Sequence, residues 1–200
     1  MESKEEAAAE SGKAEVGPEM CTLKLIFIDL CLRILLFSAS LTAMVVMVTS
    51  NQTKLVQTAL YSFPVPVPAK FNYSPAYIYF VAALSFSTLY SIISGIASSW
   101  VIVKPCSSKQ LLKFYVILVA HDVLMLGMVA AATGTAGGVA YIGLKGNSHV
   151  NWNKICNVYG KFCRHVGASV AVSLFASFLL LLLVFLSVYS VYRLAHKVVT

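Results

Sequence analysis

One apolar stretch, Leu111–Ala132, constrains the fold most, because it is long enough to cross a bilayer and carries an aspartate near its centre. A transmembrane helix needs about 20 consecutive apolar residues. A carboxylate at mid-bilayer, here Asp122, costs about 2.5–3.5 kcal/mol on insertion scales and normally has a partner. Arg33 is the best basic candidate inside another apolar stretch. The sequence therefore predicts helices assembled around an intramembrane ion pair, Arg33–Asp122.

The predicted ion pair has three interpretations. It fixes the register of the helices, it belongs to a proton or ion path, or it captures a partner. A path usually contains several polar groups, whereas only His121 and Asp29 accompany Arg33 and Asp122 inside the apolar stretches. His121 points about 100° away from Asp122 around the helix. Structural pairing is therefore favoured, with Asp29 placed to bridge either Arg33 or Lys24.

The composition indicates a membrane protein. The chain is 58% hydrophobic with a mean hydropathy of +0.80, whereas a soluble domain is about 45–50% apolar. Residues 1–20 hold six glutamates and two lysines, a charge of −4, and the remaining chain holds thirteen basic residues and two aspartates, a charge of +11. Because the basic residues flank apolar runs, membrane lipids are the predicted partners, and nucleic acid is not.

The chain divides into a tail and a membrane domain. Residues 1–20 lack aromatic side chains and predict a disordered acidic cytoplasmic tail. Residues 21–200 predict an all-α membrane protein, a four-transmembrane-helix bundle. The predicted spans are 25–48, 77–103, 111–132 and 166–192, and the predicted outer loops are 49–76 and 133–165.

Four spans place both termini on one side of the membrane. Eight basic residues lie in the tails and the short connection against six in the two outer loops, so the positive-inside rule predicts cytoplasmic N- and C-termini. Asn51 and Asn72 begin sequons in the first outer loop and are candidate glycosylation sites. The run Pro64–Pro68 in the same loop favours an extended, polyproline-like conformation.

Small residues recur at every fourth position of the second span. Such a ridge lets a neighbouring helix approach closely. Both packing inside the monomer and packing between protomers are compatible with it. The predicted helix-packing ridge consists of Ala83, Ser87, Ser91, Gly95 and Ser99.

The second outer loop carries two cysteines, Cys156 and Cys163, which predict a disulfide in an oxidising compartment. With His149 and His165 they form an alternative set of metal ligands, but their spacing matches no common zinc site, and no metal is predicted. The loop also holds aromatic residues, which predict a contact surface, with packing on the bilayer as the alternative. The candidate contact residues are Trp152, Tyr159 and Phe162.

An arginine in the first span and an aspartate in the third accompany a distinctive loop pattern. The pattern reads Tyr141-Ile142-Gly143, Gly146-Asn147-Ser148-His149, Trp152, Cys156 and Phe162-Cys163. This combination resembles the plant Casparian strip membrane domain protein family, in subfamily 1 of its CASP-like branch. The resemblance covers about residues 20–195.

The resemblance implies a MARVEL-like four-helix bundle that acts as a non-enzymatic plasma-membrane scaffold. It implies homo-oligomers, hetero-oligomers with related members, a lateral diffusion barrier and wall-modifying enzymes as partners. The first outer loop lacks the acidic-aromatic stretch associated with the Casparian members. The resemblance therefore supports a scaffold role more strongly than a role in lignification.

No catalytic site and no cofactor are predicted. No exposed Ser–His–Asp set, paired carboxylates or phosphate-binding loop can be assembled from the sequence. The alternative function is a small multispan channel or transporter. A pore would place polar stripes on at least two helices, whereas the stripes in this sequence are made of small residues.

Overall fold

Four long α-helices dominate the described part of the chain, which in this computed structural model is residues 18–57, 63–103 and 107–199. The helices are α1, Pro18–Val48; α2, Pro75–Val103; α3, Ser108–Lys145; and α4, Gly160–Val199. Two strands, β1 (Asn51–Val56) and β2 (Val65–Lys70), lie between α1 and α2. Most of the predicted acidic tail lies outside the described residues, and its last three residues begin α1.

All four helices of the described chain are long and apolar enough to cross a membrane. The candidate spans are Lys24–Val48, Pro75–Val101, Lys109–Lys145 and Gly160–His196. Each helix turns large apolar side chains outward, such as Phe27, Ile93, Leu124 and Phe185, which are 64–69% exposed. A soluble bundle would bury such residues, whereas lipid accepts them. The predicted all-α four-helix membrane fold is confirmed, and the side on which its termini lie stays a prediction.

The four helices are arranged in a ring. α1 packs on α2 and α4, and α3 packs on α4 and α2, so α1 and α3 are diagonal to one another. The β1–β2 hairpin contacts the start of α4, since the Tyr159 hydroxyl donates to the Val67 carbonyl at 3.0 Å. We call the end of the bundle that carries this hairpin the loop end. The opposite end, where α1 begins and α4 finishes, is the terminal end.

The predicted second outer loop, 133–165, is wrong in its extent. Gly134, Gly137 and Gly138 indicated a loop because glycine costs a helix about 1 kcal/mol relative to alanine. The helix α3 nevertheless continues to Lys145 and α4 already begins at Gly160. Packing against α4 offsets the cost, because Ala136 is fully buried and the hydroxyls of Thr133 and Ser173 lie 3.0 Å apart.

The first outer loop, 49–76, contains a hairpin that the sequence did not predict. β1 and β2 pair antiparallel, with Thr53 opposite Pro68 and Leu55 opposite Pro66. Proline has no N–H to donate and fits a strand where that N–H would point away from its partner. The two prolines are two residues apart, so their backbone nitrogens point to the same side of the strand. The proline-containing run is extended, as predicted, and it lies in one strand of a two-stranded sheet.

Candidate functional site

Arg33 lies at the centre of a buried polar network. Its Nη2 atom is 3.2 Å from Asp122 Oδ2 and its Nη1 atom is 3.4 Å from Asp122 Oδ1, so the guanidinium faces both carboxylate oxygens. Its Nε atom donates to Asp29 Oδ2 at 3.0 Å. The structure thus brings Arg33 and Asp122 together, and Asp29 bonds to Arg33 as a third charged member.

The positions of the charged residues explain how the network extends from α1 to α3. Asp29 and Arg33 are four residues apart on α1 and therefore share one helix face. Asp122 lies on α3, across the ring from α1. A long side chain with a planar, forked head can span this interior and bind a carboxylate through two nitrogens, which a lysine cannot do. The ion pair ties two helices that otherwise have little contact.

Hydroxyl groups from α2 and α4 complete the network. Ser94 Oγ accepts from Arg33 Nη1 at 2.8 Å, and the Tyr90 hydroxyl donates to Asp122 Oδ1 at 2.5 Å. Ser98 donates to Asp29 Oδ2 at 2.8 Å, and Ser187 donates to Asp122 Oδ2 at 3.3 Å. We call the whole set the charge network: Asp29, Arg33, Tyr90, Ser94, Ser98, Asp122 and Ser187.

Sequence reasoning missed the four hydroxyl donors and acceptors of the charge network. For Ser94 and Ser98 the available signal was their spacing from Ser87 and Ser91, since all four serines share one face of the second span. That face was interpreted through residue size rather than through hydrogen-bonding capacity. In lipid, a serine on an inward face is both small and a polar partner.

The charge network holds two carboxylates and one guanidinium, so its formal charge is −1. Asp29 Oδ1 is the only buried side-chain oxygen or nitrogen of the described residues without a hydrogen-bond partner. Removing a charge from water costs free energy unless it is paired and hydrogen-bonded. The surplus negative charge is therefore least compensated at Asp29, whereas both oxygens of Asp122 accept hydrogen bonds, from Arg33, Tyr90 and Ser187 in total.

Apolar layers cover the charge network along the bundle. The residues Asp29, Arg33 and Asp122 are 2%, 1% and 0% exposed. A small cluster of Tyr115, Leu118 and Leu194 packs towards the terminal end. A larger cluster fills the bundle towards the loop end, with the fully buried residues Leu36, Met47, Phe80, Leu84 and Val129 among its members.

His121 lies outside the charge network. Its ring stacks on Tyr90 at a centroid distance of 6.4 Å, and its Nδ1 atom lies 2.9 Å from the Ile117 carbonyl oxygen. The side chain is exposed on the outer face of α3. The structure therefore places His121 away from Asp122, in the direction that the helical periodicity predicted.

The helix-packing ridge changes its surroundings along α2. Ala83, Ser87 and Ser91 are buried, and Ser87 Oγ lies 3.1 Å from Ser40 Oγ of α1. Gly95 and Ser99 are half-buried and line an open cleft between α1 and α2. Three of the five ridge residues are thus buried inside the monomer, and Gly95 and Ser99 border this cleft.

A disulfide joins Cys156 and Cys163, with their Cα atoms 5.7 Å apart. The two sulfurs are bonded to each other and are therefore not thiolate ligands for a metal, which removes the alternative site with His149 and His165 in this state. The chain turns at Gly146 near the disulfide. The φ of Gly146 is 69°, and a Cβ atom there would lie 2.6 Å from the Trp152 carbonyl oxygen. The chain needs glycine at this turn.

The predicted aromatic contact surface is wrong for two of its three residues. Tyr159 and Phe162 are each only 9% exposed, whereas Trp152 is 57% exposed. Phe162 packs edge-on against Tyr77, and its N–H donates to Gln52 of the hairpin. The hairpin that the sequence did not reveal covers both rings. Trp152 stays a predicted contact residue.

Both candidate glycosylation sites lie on the surface at the loop end. Asn51 is the first residue of β1, and Asn72 lies in a single 3₁₀ turn before α2. Both side chains are exposed. Their accessibility fits modification, and glycosylation stays a prediction.

We expect Cys156→Ser, Cys163→Ser and the double variant to behave alike, because all three remove the same bond. A closed loop this short stabilises by somewhat less than about 3 kcal/mol in the chain-entropy model. Cys31→Ser is the matched control, since Cys31 is an exposed free cysteine of the described chain. Non-reducing mass spectrometry should show a linked peptide in the control and in the parent protein. Two free thiols at positions 156 and 163 in the parent would refute the bridge.

Comparison with known proteins places these features in context. Residues 22–179 match the family described as Casparian strip membrane protein domain. The chain is 51% identical over 195 residues to CASP-like protein 1D1 of Populus trichocarpa, covering 96% of this chain and 98% of that protein. It is 59% identical over 171 residues to CASP-like protein 1D1 of Vitis vinifera, covering 85% and 80%. It is 51% identical over 192 residues to CASP-like protein 1D2 of Arabidopsis thaliana, covering 92% and 95%. No solved structure matches the chain.

Proposed function

Because this chain belongs to the Casparian strip membrane protein domain family, we propose that it acts as a non-enzymatic plasma-membrane scaffold that oligomerises into a membrane domain. Its place as a multi-pass membrane protein follows from the family and the four candidate spans. The observation that carries the proposal is the closed charge network, in which the intramembrane charges bind one another rather than a passing solute.

A scaffold needs a subunit with one fixed shape. The charge network supports this requirement, because its hydrogen bonds join all four helices in a medium where an unpaired partner is costly. The outer faces are apolar and lie free for lipid and for neighbouring subunits. Homo-oligomers, and hetero-oligomers with related members, are the proposed assemblies.

The charge distribution and the chemistry of the loop end support the orientation that we propose. We place the termini in the cytoplasm and the hairpin, the disulfide and the two sequons outside the cell. A disulfide is favoured in an oxidising compartment, which supports this side. Wall-modifying enzymes are the proposed external partners, and Trp152 is the exposed aromatic residue available to them.

A channel is the second candidate, and one observation favours it. Buried hydroxyl residues line inward faces of two helices, which is the pattern expected of a pore. These hydroxyls are engaged in the described structure, for example Ser169 with the Ala43 carbonyl at 2.6 Å and Ser91 with the Ser87 carbonyl at 2.7 Å. Engagement of this kind supports packing over conduction.

Lateral mobility tests the scaffold. In its native plasma membrane a fluorescent fusion of the full chain should recover slowly after photobleaching, with a large immobile fraction. A fusion to an unrelated monomeric four-span protein is the control, because it has the same hydrodynamic size in the membrane. Recovery as fast as that of the control, together with an ion conductance in planar bilayers, would favour the channel and refute the scaffold.

A further inference from the structure

A second site lies at the loop end, separate from the charge network. A cavity of about 470 Å³ opens between the start of α2, the end of α3 and the start of α4. We call it the loop-end cavity. Ligand sites in proteins are mostly apolar clefts of about 300–1,000 Å³ with a few polar groups. The residues that define it for the following argument are Lys70, Tyr77, Gly143, Phe162, Val166 and Val170.

The wall of the loop-end cavity is apolar and is kept open by glycine. Phe162 and Val166 are buried against the main core, at 9% and 1% exposure. Gly143 contributes no side chain, and a Cβ atom there would lie 4.0 Å from Cys156 Sγ, an ordinary contact distance. The disulfide thus forms part of the wall, and a larger side chain at position 143 would occupy the space.

Two polar groups of the loop-end cavity have no partner among the described residues. Tyr77 is 6% exposed, and its hydroxyl makes no hydrogen bond to any residue in the described ranges. The hydroxyl oxygen is not one of the fully buried unpartnered atoms of this part of the chain, so it is open to the cavity and can hydrogen-bond to a molecule there. Lys70, the last residue of β2, is exposed at the rim. Beyond residue 20 the only aspartates or glutamates are Asp29 and Asp122, and both bind Arg33, so neither neutralises Lys70.

The position of the loop-end cavity matches the edge of the bilayer. Tyr73 and Tyr141 line it and are each 63% exposed. Tyrosine collects where a membrane meets water, because its ring is apolar and its hydroxyl is polar. A molecule at this place would have its apolar part among the helices and its polar part beside Lys70 and Tyr77.

We propose that the loop-end cavity binds one membrane lipid with an anionic headgroup, its acyl chain along Phe162 and Val166 and its phosphate beside Lys70 and the Tyr77 hydroxyl. Charge complementarity selects the headgroup, because the loop end carries basic residues and no acidic residue among those described. The apolar wall selects a chain rather than a free anion. The inference does not depend on the scaffold role or on the orientation of the protein.

Two pairs of matched variants test the lipid site. Lys70→Ala removes the charge at the rim, and Lys161→Ala removes an equal charge from the same end without touching the cavity. Gly143→Leu fills the cavity, and Gly138→Leu makes the same change on α3, where a Cβ atom would have nothing within 4 Å. Both leucine variants raise helix propensity equally.

The measurement is native mass spectrometry of the full chain in a neutral detergent, titrated with phosphatidylglycerol or with phosphatidylcholine of the same acyl chains. The parent should retain one phosphatidylglycerol in preference to phosphatidylcholine. Lys70→Ala should weaken retention about fivefold, the effect of one lysine at an anionic surface. Gly143→Leu should weaken it about tenfold, since about two methylene groups lose their contacts. Lys161→Ala and Gly138→Leu should bind like the parent.

Three results would overturn the lipid site. Equal retention of the two lipids would refute the proposed contact between the protein and an anionic headgroup. Equal losses in Lys70→Ala and Lys161→Ala would show attraction by overall charge alone. A change of oligomeric state in Gly143→Leu with unchanged lipid retention would show that a second copy of the chain, not a lipid, occupies the cavity. Lys70→Ala alters an exposed side chain, so it gives a decisive result even if Gly143→Leu fails to fold.

Discussion

Arg33→Gln is expected to cause the largest loss of folded, assembled protein among single substitutions in the charge network. The change leaves Asp29 and Asp122 as two buried carboxylates without a cation. Removing one partner of a buried ion pair costs about 3–5 kcal/mol in soluble proteins. The readouts are the thermal midpoint of the purified protein in detergent and its delivery to the cell surface. Arg164→Gln, which removes an exposed charge near the loop end, is the control.

The structure also predicts an order of severity. Asp122→Asn should be less damaging than Arg33→Gln, because Arg33 then keeps Asp29 as a neutral pair. Asp29→Asn should be the mildest change, because it removes the surplus negative charge and replaces the carboxylate whose Oδ1 lacks a partner. Equal midpoints for Arg33→Gln and Arg164→Gln would refute the pairing. An Asp29→Asn variant as unstable as Arg33→Gln would refute the assignment of the surplus negative charge to Asp29.

A charge exchange tests the pairing in the opposite direction. Exchanging Arg33→Asp with Asp122→Arg restores one pair across the bundle, but it places a carboxylate four residues from Asp29 on the same helix face. We therefore expect partial recovery from the double exchange and fuller recovery when Asp29→Asn is added. A triple variant no better than Arg33→Gln alone would contradict this account.

The second large effect is an all-or-none pattern of labelling that reports orientation. Lys145→Cys should react with a membrane-impermeant maleimide in intact cells, and Lys109→Cys should not. Both side chains are exposed, at opposite ends of α3. The parent for both variants should lack the cysteines outside the disulfide, namely Cys21, Cys31 and Cys106, so that the bridge remains.

Permeabilised cells provide the control for this experiment, because both engineered cysteines should then react equally. The expected contrast follows from the positive-inside rule, since the terminal end carries the larger number of lysines and arginines. Labelling of Lys109→Cys alone in intact cells would reverse the orientation. It would also place the hairpin and the sequons in the cytoplasm and remove the wall-facing part of the proposed function.

The sequence by itself determined the features that lipid makes unavoidable. Four apolar stretches of sufficient length specify four helices, because no other open backbone arrangement satisfies its hydrogen bonds in a bilayer. A lone aspartate and a lone arginine near the middle of two such stretches have few alternatives to each other. Asp122 and Arg33 were therefore predictable as a pair without knowledge of any distance.

Only the tertiary structure decided what depends on contacts between distant segments. Thr133–Lys145 is helical because it packs on α4, which outweighs the cost of its glycines. Tyr159 and Phe162 are buried because a hairpin about a hundred residues earlier in the chain covers them. The hydroxyls that satisfy Asp122 come from Tyr90 and Ser187 on two other helices. Local periodicity specifies which face a residue occupies, but the partner opposite that face is set only when the helices pack.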